Sequence, residues 1–178
     1  MQIQKPKHSY DLVVVGGGMV GASFACALSH GIGSKSLSIL VVEAVASTSS
    51  SVVQPSFDAR ATALSYGSSR IFERMGLWSQ LAEIVTRIKE IHVSDKGRFG
   101  AVHLSHEDHK LDALGYVIEN RNLGVVLNAA MQISEGIDLY CPARITSIKP
   151  VQSGMSLEIA GAAGNVTVEA SLVVLAVK

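Results

Sequence analysis

Three glycines at a fixed spacing are the residues of this sequence whose arrangement most clearly predicts chemistry. Gly16, Gly18 and Gly21 form a G-x-G-x-x-G pattern, and an acid, Glu43, follows about 20 residues later. In such a pattern the first glycine permits a tight turn, the second lets a diphosphate approach the backbone, and the third lets a helix pack on a sheet. The N–H groups at the start of that helix attract the diphosphate, and the acid accepts hydrogen bonds from ribose hydroxyls.

Whether the glycine pattern indicates a diphosphate site depends on the secondary structure on either side of it. The β-branched run from Tyr10 to Val15 predicts a buried strand, and the small residues from Met19 to about His30 predict a helix. A second buried strand is expected over 37–42, ending in Glu43, which completes a βαβ unit. The alternative is a glycine-rich turn that binds no ligand, and the pattern alone does not separate FAD from NAD. The predicted cofactor contacts are Gly16, Gly17, Gly18, Met19, Val20, Gly21 and Glu43.

The rest of the chain predicts an α/β fold: a Rossmann-like parallel sheet with a small antiparallel β element. A serine-rich segment, 47–51, has the composition of an exposed loop. Helices are expected over 59–75, 78–87 and 122–134. Strands are expected over 91–94 and 101–105 as a hairpin, then 115–118, 137–141, 144–148, 155–159, 166–169 and 172–177.

Composition and charge exclude several classes of function. Fifteen basic residues balance fifteen acidic ones, so charge gives no argument for a nucleic-acid partner or an anionic membrane surface. Asp11 and several glycines interrupt the apolar run 12–28, which argues against a signal peptide or a membrane-spanning helix.

Cys26 and Cys141 are expected to be buried free thiols, which favours a reducing cytoplasm. The cluster of His103, His106, Glu107, Asp108 and His109 is interpreted as a solvated loop and not as a metal site.

Five segments in order extend the prediction beyond the glycine pattern. They read DLVVVGGGMVGASFACAL, VVEA, FDARATALSYGSSRIFERMGLW, IHVSDKGRFG and EDHKLDALGYVIEN. Together they resemble the FAD-dependent hydroxylases of ubiquinone biosynthesis, of the 2-octaprenyl-6-methoxyphenol hydroxylase type, within the p-hydroxybenzoate hydroxylase superfamily. The resemblance implies bound FAD, NAD(P)H as reductant, O2 as cosubstrate and a polyprenylated phenol as substrate. It also implies a cytoplasmic location, peripheral to the inner membrane within a membrane-associated biosynthetic complex. No catalytic acid or base is assigned, because the flavin carries the difficult chemistry.

The resemblance implies two further cofactor-binding residues. Arg60 matches an arginine that lies near the flavin diphosphate and ribityl chain, and a guanidinium suits phosphate. The alternative for Arg60 is a residue at a helix start that pairs with Asp58 or faces solvent. Asn120 falls where relatives often place Gln or Arg against the flavin, and a turn or N-cap role is its alternative.

The resemblance also predicts the organisation of the chain. Residues 1–178 correspond to the N-terminal part of the FAD-binding domain, and 88–120 to the start of an excursion into a substrate domain. Relatives continue their last strand with Ala-Ala-Asp-Gly, whereas this chain reads Leu175-Ala176-Val177-Lys178. We therefore expect a C-terminally truncated chain, arising from a frameshift, a gene fragment or deliberate shortening, with weak or no activity. The rivals are another FAD-dependent oxidoreductase and a non-catalytic fragment that keeps the fold alone.

Overall fold

The structure is a computed structural model that describes residues 6–31, 37–45, 56–162 and 164–177. None of the helices in these ranges is long and apolar enough to span a bilayer. The elements in chain order are β1 (Ser9–Val15), α1 (Met19–Gly31), β2 (Ile39–Val42), β3 (Ala61–Ser65), α2 (Tyr66–Arg74), α3 (Trp78–Ala82), β4 (Thr86–Ile88), β5 (Glu90–Ser94), β6 (Ala101–Ser105), β7 (Gly115–Glu119), α4 (Asn120–Ile133), β8 (Ile137–Tyr140), β9 (Ala143–Val151), β10 (Gly154–Gly161) and β11 (Gly164–Leu175).

A six-stranded sheet positions the predicted site. Its strand order is β8-β2-β1-β11-β10-β9, with β8, β2, β1 and the end of β11 parallel and the last two strands antiparallel. Every residue of β2 is buried, as expected for a strand covered on both faces. Because β1 and β2 are parallel, their carboxyl ends reach the same edge, where Val15 pairs with Val42. This sheet confirms the predicted α/β class and brings Gly16 beside Glu43.

Two helices, α1 and α4, cover one face of this sheet. Ala22, Ala25 and Cys26 of α1 are fully buried against it, and their small size lets the helix approach closely. Residues of α4 at helical spacing complete the same core, which confirms the predicted apolar face of that helix. They are Leu123, Val126, Leu127, Ala130 and Met131. Burial of each such large side chain stabilises the fold by roughly 1.5–3 kcal/mol.

The segment after Arg60 is a strand, so the helix predicted from residue 59 was wrong in its first part. Strand β3 pairs antiparallel with β7, from Ala61 opposite Glu119 to Ser65 opposite Gly115. Helix α2 begins only at Tyr66, after Ser65 accepts a hydrogen bond from the Ser68 N–H as its cap. Strand pairing with a distant segment therefore overrides the local helical preference of the alanines.

The bounds of two other predicted segments also differ from those in the structure. In both cases the difference arises because strands pair with other parts of the chain. The helix expected over 78–87 ends at Ala82, and residues 86–88 form β4, which pairs with β7. The strands expected over 166–169 and 172–177 are one strand, β11. Its first part pairs antiparallel with β10, and its last part pairs parallel with β1. The serine-rich segment 47–51 lies outside the described residues.

The predicted hairpin of β5 and β6 is confirmed as a separate two-stranded sheet. Ile91 pairs with Leu104, and Val93 pairs with Val102, so these four apolar side chains share one face. All four are exposed.

The two cysteines differ in burial, so the expectation of two buried thiols holds only for one. Neither forms a disulfide within the described residues, but Cys141 is only half-buried and donates to the carbonyl oxygen of Val45 at 3.2 Å. Cys26 is fully buried beneath α4, and this burial raises the pKa of its thiol to about 11. Cys26 therefore stays a protonated, apolar packing residue at neutral pH.

The packing of Gly124 against Phe57 gives a test of the described core. A Cβ at Gly124 of α4 would overlap the buried Phe57 ring, whereas one at Gly67 of α2 would meet only the Ser65 hydroxyl at 3.7 Å. We expect Gly124→Ala to lower the free energy of unfolding by about 1–3 kcal/mol despite its better helix propensity. Gly67→Ala, the matched control, is expected to raise it by about 0.4–1 kcal/mol. Urea denaturation measures both, and equal stabilisation by the two variants would contradict the packing.

Candidate functional site

The turn from β1 into α1 admits only glycine at two positions. Gly16 has φ +104°, a left-handed conformation, and a Cβ there would lie 2.7 Å from the carbonyl oxygen of Ala176. The Gly16 N–H donates to the carbonyl oxygen of Val42 at 2.8 Å, which fixes the turn against the end of β2. A Cβ at Gly21 would overlap the carbonyl oxygen of Gly16. The first and third glycines of the pattern are therefore dictated by backbone geometry.

Glu43 lies against this turn and is held there from both sides. Its N–H donates to the carbonyl oxygen of Tyr140, and its carbonyl oxygen accepts from the N–H of Ala143. Its side-chain Oε2 accepts a hydrogen bond from the Gly17 N–H at 2.7 Å, and Oε1 accepts one from the Val45 N–H at 2.7 Å. The arrangement fixes the carboxylate at the start of α1.

The start of α1 carries backbone N–H groups directly after the buried glycines of the turn. The Ala22 N–H donates to the carbonyl oxygen of Gly18 at 2.8 Å, so the helical hydrogen bonds begin at Gly18. The first N–H groups of a helix have no partner within it and carry a partial positive charge. No acidic residue lies in the first turn, and the Val20 side chain is 72% exposed. Met19 is half-buried and packs against the core beneath. This end of α1 has the geometry and charge of an anion site.

A pocket of about 230 Å³ continues from the Glu43 carboxylate along the sheet edge. Sequence reasoning missed the part of its wall that comes from Ala143, Arg144 and Ile145. These residues begin β9, and only the fold brings them beside the end of β2. No motif in the sequence signals this proximity. The full lining is Val15, Gly16, Val42, Glu43, Ala44, Ala143, Arg144, Ile145 and Val177.

Arg60 is exposed and forms an ion pair with Asp58. Its Nε lies 2.5 Å from Asp58 Oδ2, and its backbone N–H donates to Asp58 Oδ1 at 3.0 Å. The alternative pairing with Asp58 is thus observed, although Arg60 precedes a strand and not a helix. Desolvation works to raise the pKa of Asp58, but the hydrogen bonds and charge of Arg60, with the Asn120 amide, hold it below its usual value.

Asn120 is buried and already hydrogen-bonded on both sides of its amide. Its Oδ1 accepts from the Thr62 hydroxyl at 2.5 Å, and its Nδ2 donates to Asp58 Oδ1 at 3.2 Å. Asn120 is the first residue of α4, and Glu119 occupies the cap position, so the alternative N-cap role was wrong. The structure therefore joins Asn120 to Arg60 through Asp58. The glycine turn and Glu43 form a second, separate group.

The residues around Val177 run beside the glycine turn. The Ala176 N–H donates to the carbonyl oxygen of Val15 at 2.8 Å, which extends the pairing of β11 with β1. Val177 Cγ1 would lie 3.0 Å from a Cβ at Gly16, and Val177 is 61% exposed. An exposed apolar side chain thus stands beside the glycine turn.

Comparison with known proteins gives relatives along most of the chain. No family model matches the sequence. The ubiquinone hydroxylase UbiL of Rhodospirillum rubrum is 29% identical over 164 residues, which are 92% of this chain and 36% of that protein. The mitochondrial ubiquinone biosynthesis monooxygenase COQ6 of Rattus norvegicus is 29% identical over 129 residues, 72% of this chain and 26% of that protein. The chain thus spans about a third or less of these curated relatives.

Solved structures show the same fold. The p-nitrophenol 4-monooxygenase PnpA of Pseudomonas putida DLL-E4 superposes with a TM-score of 0.73 at 18% identity, covering 95% of this chain and 41% of that one. The flavin-dependent monooxygenase PieE, in complex with FAD and substrate, gives a TM-score of 0.71 at 16% identity, covering 95% and 30%. The predicted resemblance is confirmed: this chain is a partial-length relative of the ubiquinone-biosynthesis hydroxylases and has the fold of the FAD-dependent monooxygenases.

Proposed function

We propose that this chain binds FAD, and that the protein it represents hydroxylates a polyprenylated phenol in ubiquinone biosynthesis with NAD(P)H and O2. The observation that carries the proposal is the Glu43 carboxylate, held at the start of α1 by the Gly17 N–H. A carboxylate at this point would accept hydrogen bonds from ribose hydroxyls beside the proposed diphosphate site, as a bound dinucleotide requires. The names of the related proteins support the reaction, and the PieE structure with FAD supports the cofactor.

The residues present fit the adenosine diphosphate half of FAD. The N–H groups of Gly18, Met19 and Val20 would donate to the diphosphate. The Glu43 carboxylate would accept hydrogen bonds from the ribose hydroxyls. The pocket that continues past Glu43 would then take the adenine ring, against Ala143, Arg144 and Ile145.

Arg60 and Asn120 would serve the other half of FAD in different ways. Arg60 is exposed, and its weak surface ion pair with Asp58 can be exchanged for a phosphate contact at little cost. Both the amide oxygen and the amide nitrogen of Asn120 already have a hydrogen-bond partner, so we propose that it acts by fixing Asp58, which in turn orients Arg60. FAD supplies the oxygen chemistry when bound, and this chain's residues bind and orient it.

The proposal extends to the organisation and surroundings of the whole protein. We propose that residues 88–120 begin an excursion into a substrate domain, because β5 and β6 form a sheet apart from the main one and expose an apolar face. A lipid-tailed substrate would also favour a position at the cytoplasmic face of the inner membrane, within a biosynthetic complex.

Titration with FAD tests the proposal through Glu43. We expect near one-to-one binding, followed by flavin fluorescence, and about tenfold weaker binding by Glu43→Gln, a loss of about 1.4 kcal/mol. The glutamine amide would place an NH2 group against the N–H of either Gly17 or Val45, so one hydrogen bond is lost. Glu169→Gln removes the charge of an exposed carboxylate on β11 and should bind FAD like the unaltered chain.

A chain that is folded by circular dichroism but takes up no FAD at any concentration would contradict the proposal. It would leave the alternative of a fragment that keeps the fold without the ligand. Equal affinity in the Glu43→Gln and Glu169→Gln variants would show instead that FAD binds elsewhere.

Replacement of Arg60 tests the phosphate contact. We expect Arg60→Ala to weaken FAD binding about 5- to 20-fold and to make the affinity less dependent on salt, because a charge-assisted contact is removed. Its stability should change by less than about 1 kcal/mol, since the ion pair is exposed. Arg98→Ala, which breaks a similar exposed pair with Asp95 in the hairpin turn, is the matched control and should leave affinity unchanged. Identical losses in both variants would contradict a specific role for Arg60.

A further inference from the structure

Another group of polar side chains, apart from those around Glu43 and Asp58, surrounds the contact between Trp78 and Tyr116. Their rings meet edge to face, with centroids 4.7 Å apart. Two adjoining pockets, of about 250 and 490 Å³, share Trp78, Tyr116 and Asp112 as a common wall. Their sizes are near or within the range of small-molecule sites, but their linings are mostly polar, which favours a charged ligand.

The charges around these pockets are unbalanced. Arg70 and Lys110 line the smaller pocket, and Arg87 and Lys89 line the larger one. Arg70 is neutralised by its ion pair with Glu73. Within the described parts of the chain, the other three cations have no ion-pair partner, and Asp112 is the one remaining acid of the two linings. A chain without net charge therefore gathers an excess of positive charge at this place.

The fold holds these cations at one end of the small sheet. Arg87 of β4 lies directly opposite Tyr116 of β7, so their side chains share a face of the sheet. The β3–β7 pairing runs from Gly115 at this end to Glu119 at the other, next to Asn120. The pockets therefore lie at the opposite end of β7 from Asn120 and its hydrogen-bond partner Asp58. They share no residue with the pocket beside Glu43.

We propose that the Trp78–Tyr116 pockets form a binding site for a phosphate-bearing anion, separate from the nucleotide site at the glycine turn. A guanidinium presents paired donors that match phosphate oxygens, and the two lysine ammonium groups add charge without fixed geometry. A multivalent anion relieves the repulsion among the three unpaired cations and gains from all of them. The inference does not depend on FAD binding, because none of these residues belongs to the glycine turn or the Glu43 pocket.

The single tryptophan of the chain makes this site directly observable. Trp78 lines both pockets, so its fluorescence reports on them alone. We expect inorganic pyrophosphate to change this fluorescence saturably, and sodium chloride at matched ionic strength to give no saturable change. Arg87→Ala and Lys89→Ala should each weaken the apparent affinity at least about fivefold. Lys149→Ala removes an exposed lysine that pairs with Glu158 on the main sheet, and it should bind as the unaltered chain does.

Three results of the pyrophosphate titration would overturn the proposal, and a comparison with citrate supplies a fourth. One is a fluorescence change that never saturates, another is the same change with chloride, and the third is an unaltered affinity in the combined Arg87→Ala and Lys89→Ala variant. Arg87 and Lys89 are exposed on an edge of the sheet, so the variants should remain folded, which circular dichroism checks. Citrate titrated in parallel decides the chemistry: pyrophosphate binding more tightly supports a phosphate site, and citrate binding equally well contradicts it.

Discussion

The hydrogen bond from the Gly17 N–H to the Glu43 carboxylate is the contact on which the proposed nucleotide site depends. It joins the first turn of α1 to the end of the neighbouring strand, and it exists only because β1 and β2 run parallel and end together at Val15 and Val42. A shift of one residue in that register would turn every side chain of β2 to the opposite face. The carboxylate would then leave the edge where the helix begins. Strand register, through this one contact, places an acid beside the start of α1.

The packing beneath the site explains why that register is kept. Both faces of β1 and β2 are covered, one by α1 and α4 and the other by the core around β10 and β11. A register slip would have to rebuild two cores at once, at a cost of several buried side chains. The same packing connects the glycine turn with the group formed by Arg60, Asp58 and Asn120. Phe57, the residue directly before Asp58, is buried against α4. Core packing and the hydrogen bonds of Asp58 together place Arg60.

Local signals were enough to predict the elements that carry the glycine turn. The structure confirms β1, α1 and β2. They were predicted from the β-branched run of β1, the small residues of α1 and the acid after β2. Each of these signals is a property of residues that are close together in the sequence. The hairpin of β5 and β6 and the apolar face of α4 were also predictable, since alternation and helical spacing are properties of neighbouring residues. The roles proposed for individual residues in binding FAD remain predictions.

Features that depend on distant pairing were not predictable. The alanines of β3 favour a helix in isolation, and only β7, more distant in sequence, makes them a strand. The joining of two expected strands into β11 requires β10 on one side and β1 on the other. The wall that Ala143 and Arg144 contribute to the pocket beside Glu43 has the same origin, because the sequence predicts a strand over 144–148 but not that its start lies beside the end of β2.

Backbone amide NMR of the chain during titration with FAD measures the central contact most directly. If the diphosphate binds at the start of α1, the N–H resonances of Gly17, Gly18 and Met19 should shift most, accompanied by that of Val45, whose N–H is bonded to the Glu43 carboxylate. Large shifts centred on other parts of the chain, with those four amides unmoved at saturation, would contradict the site described.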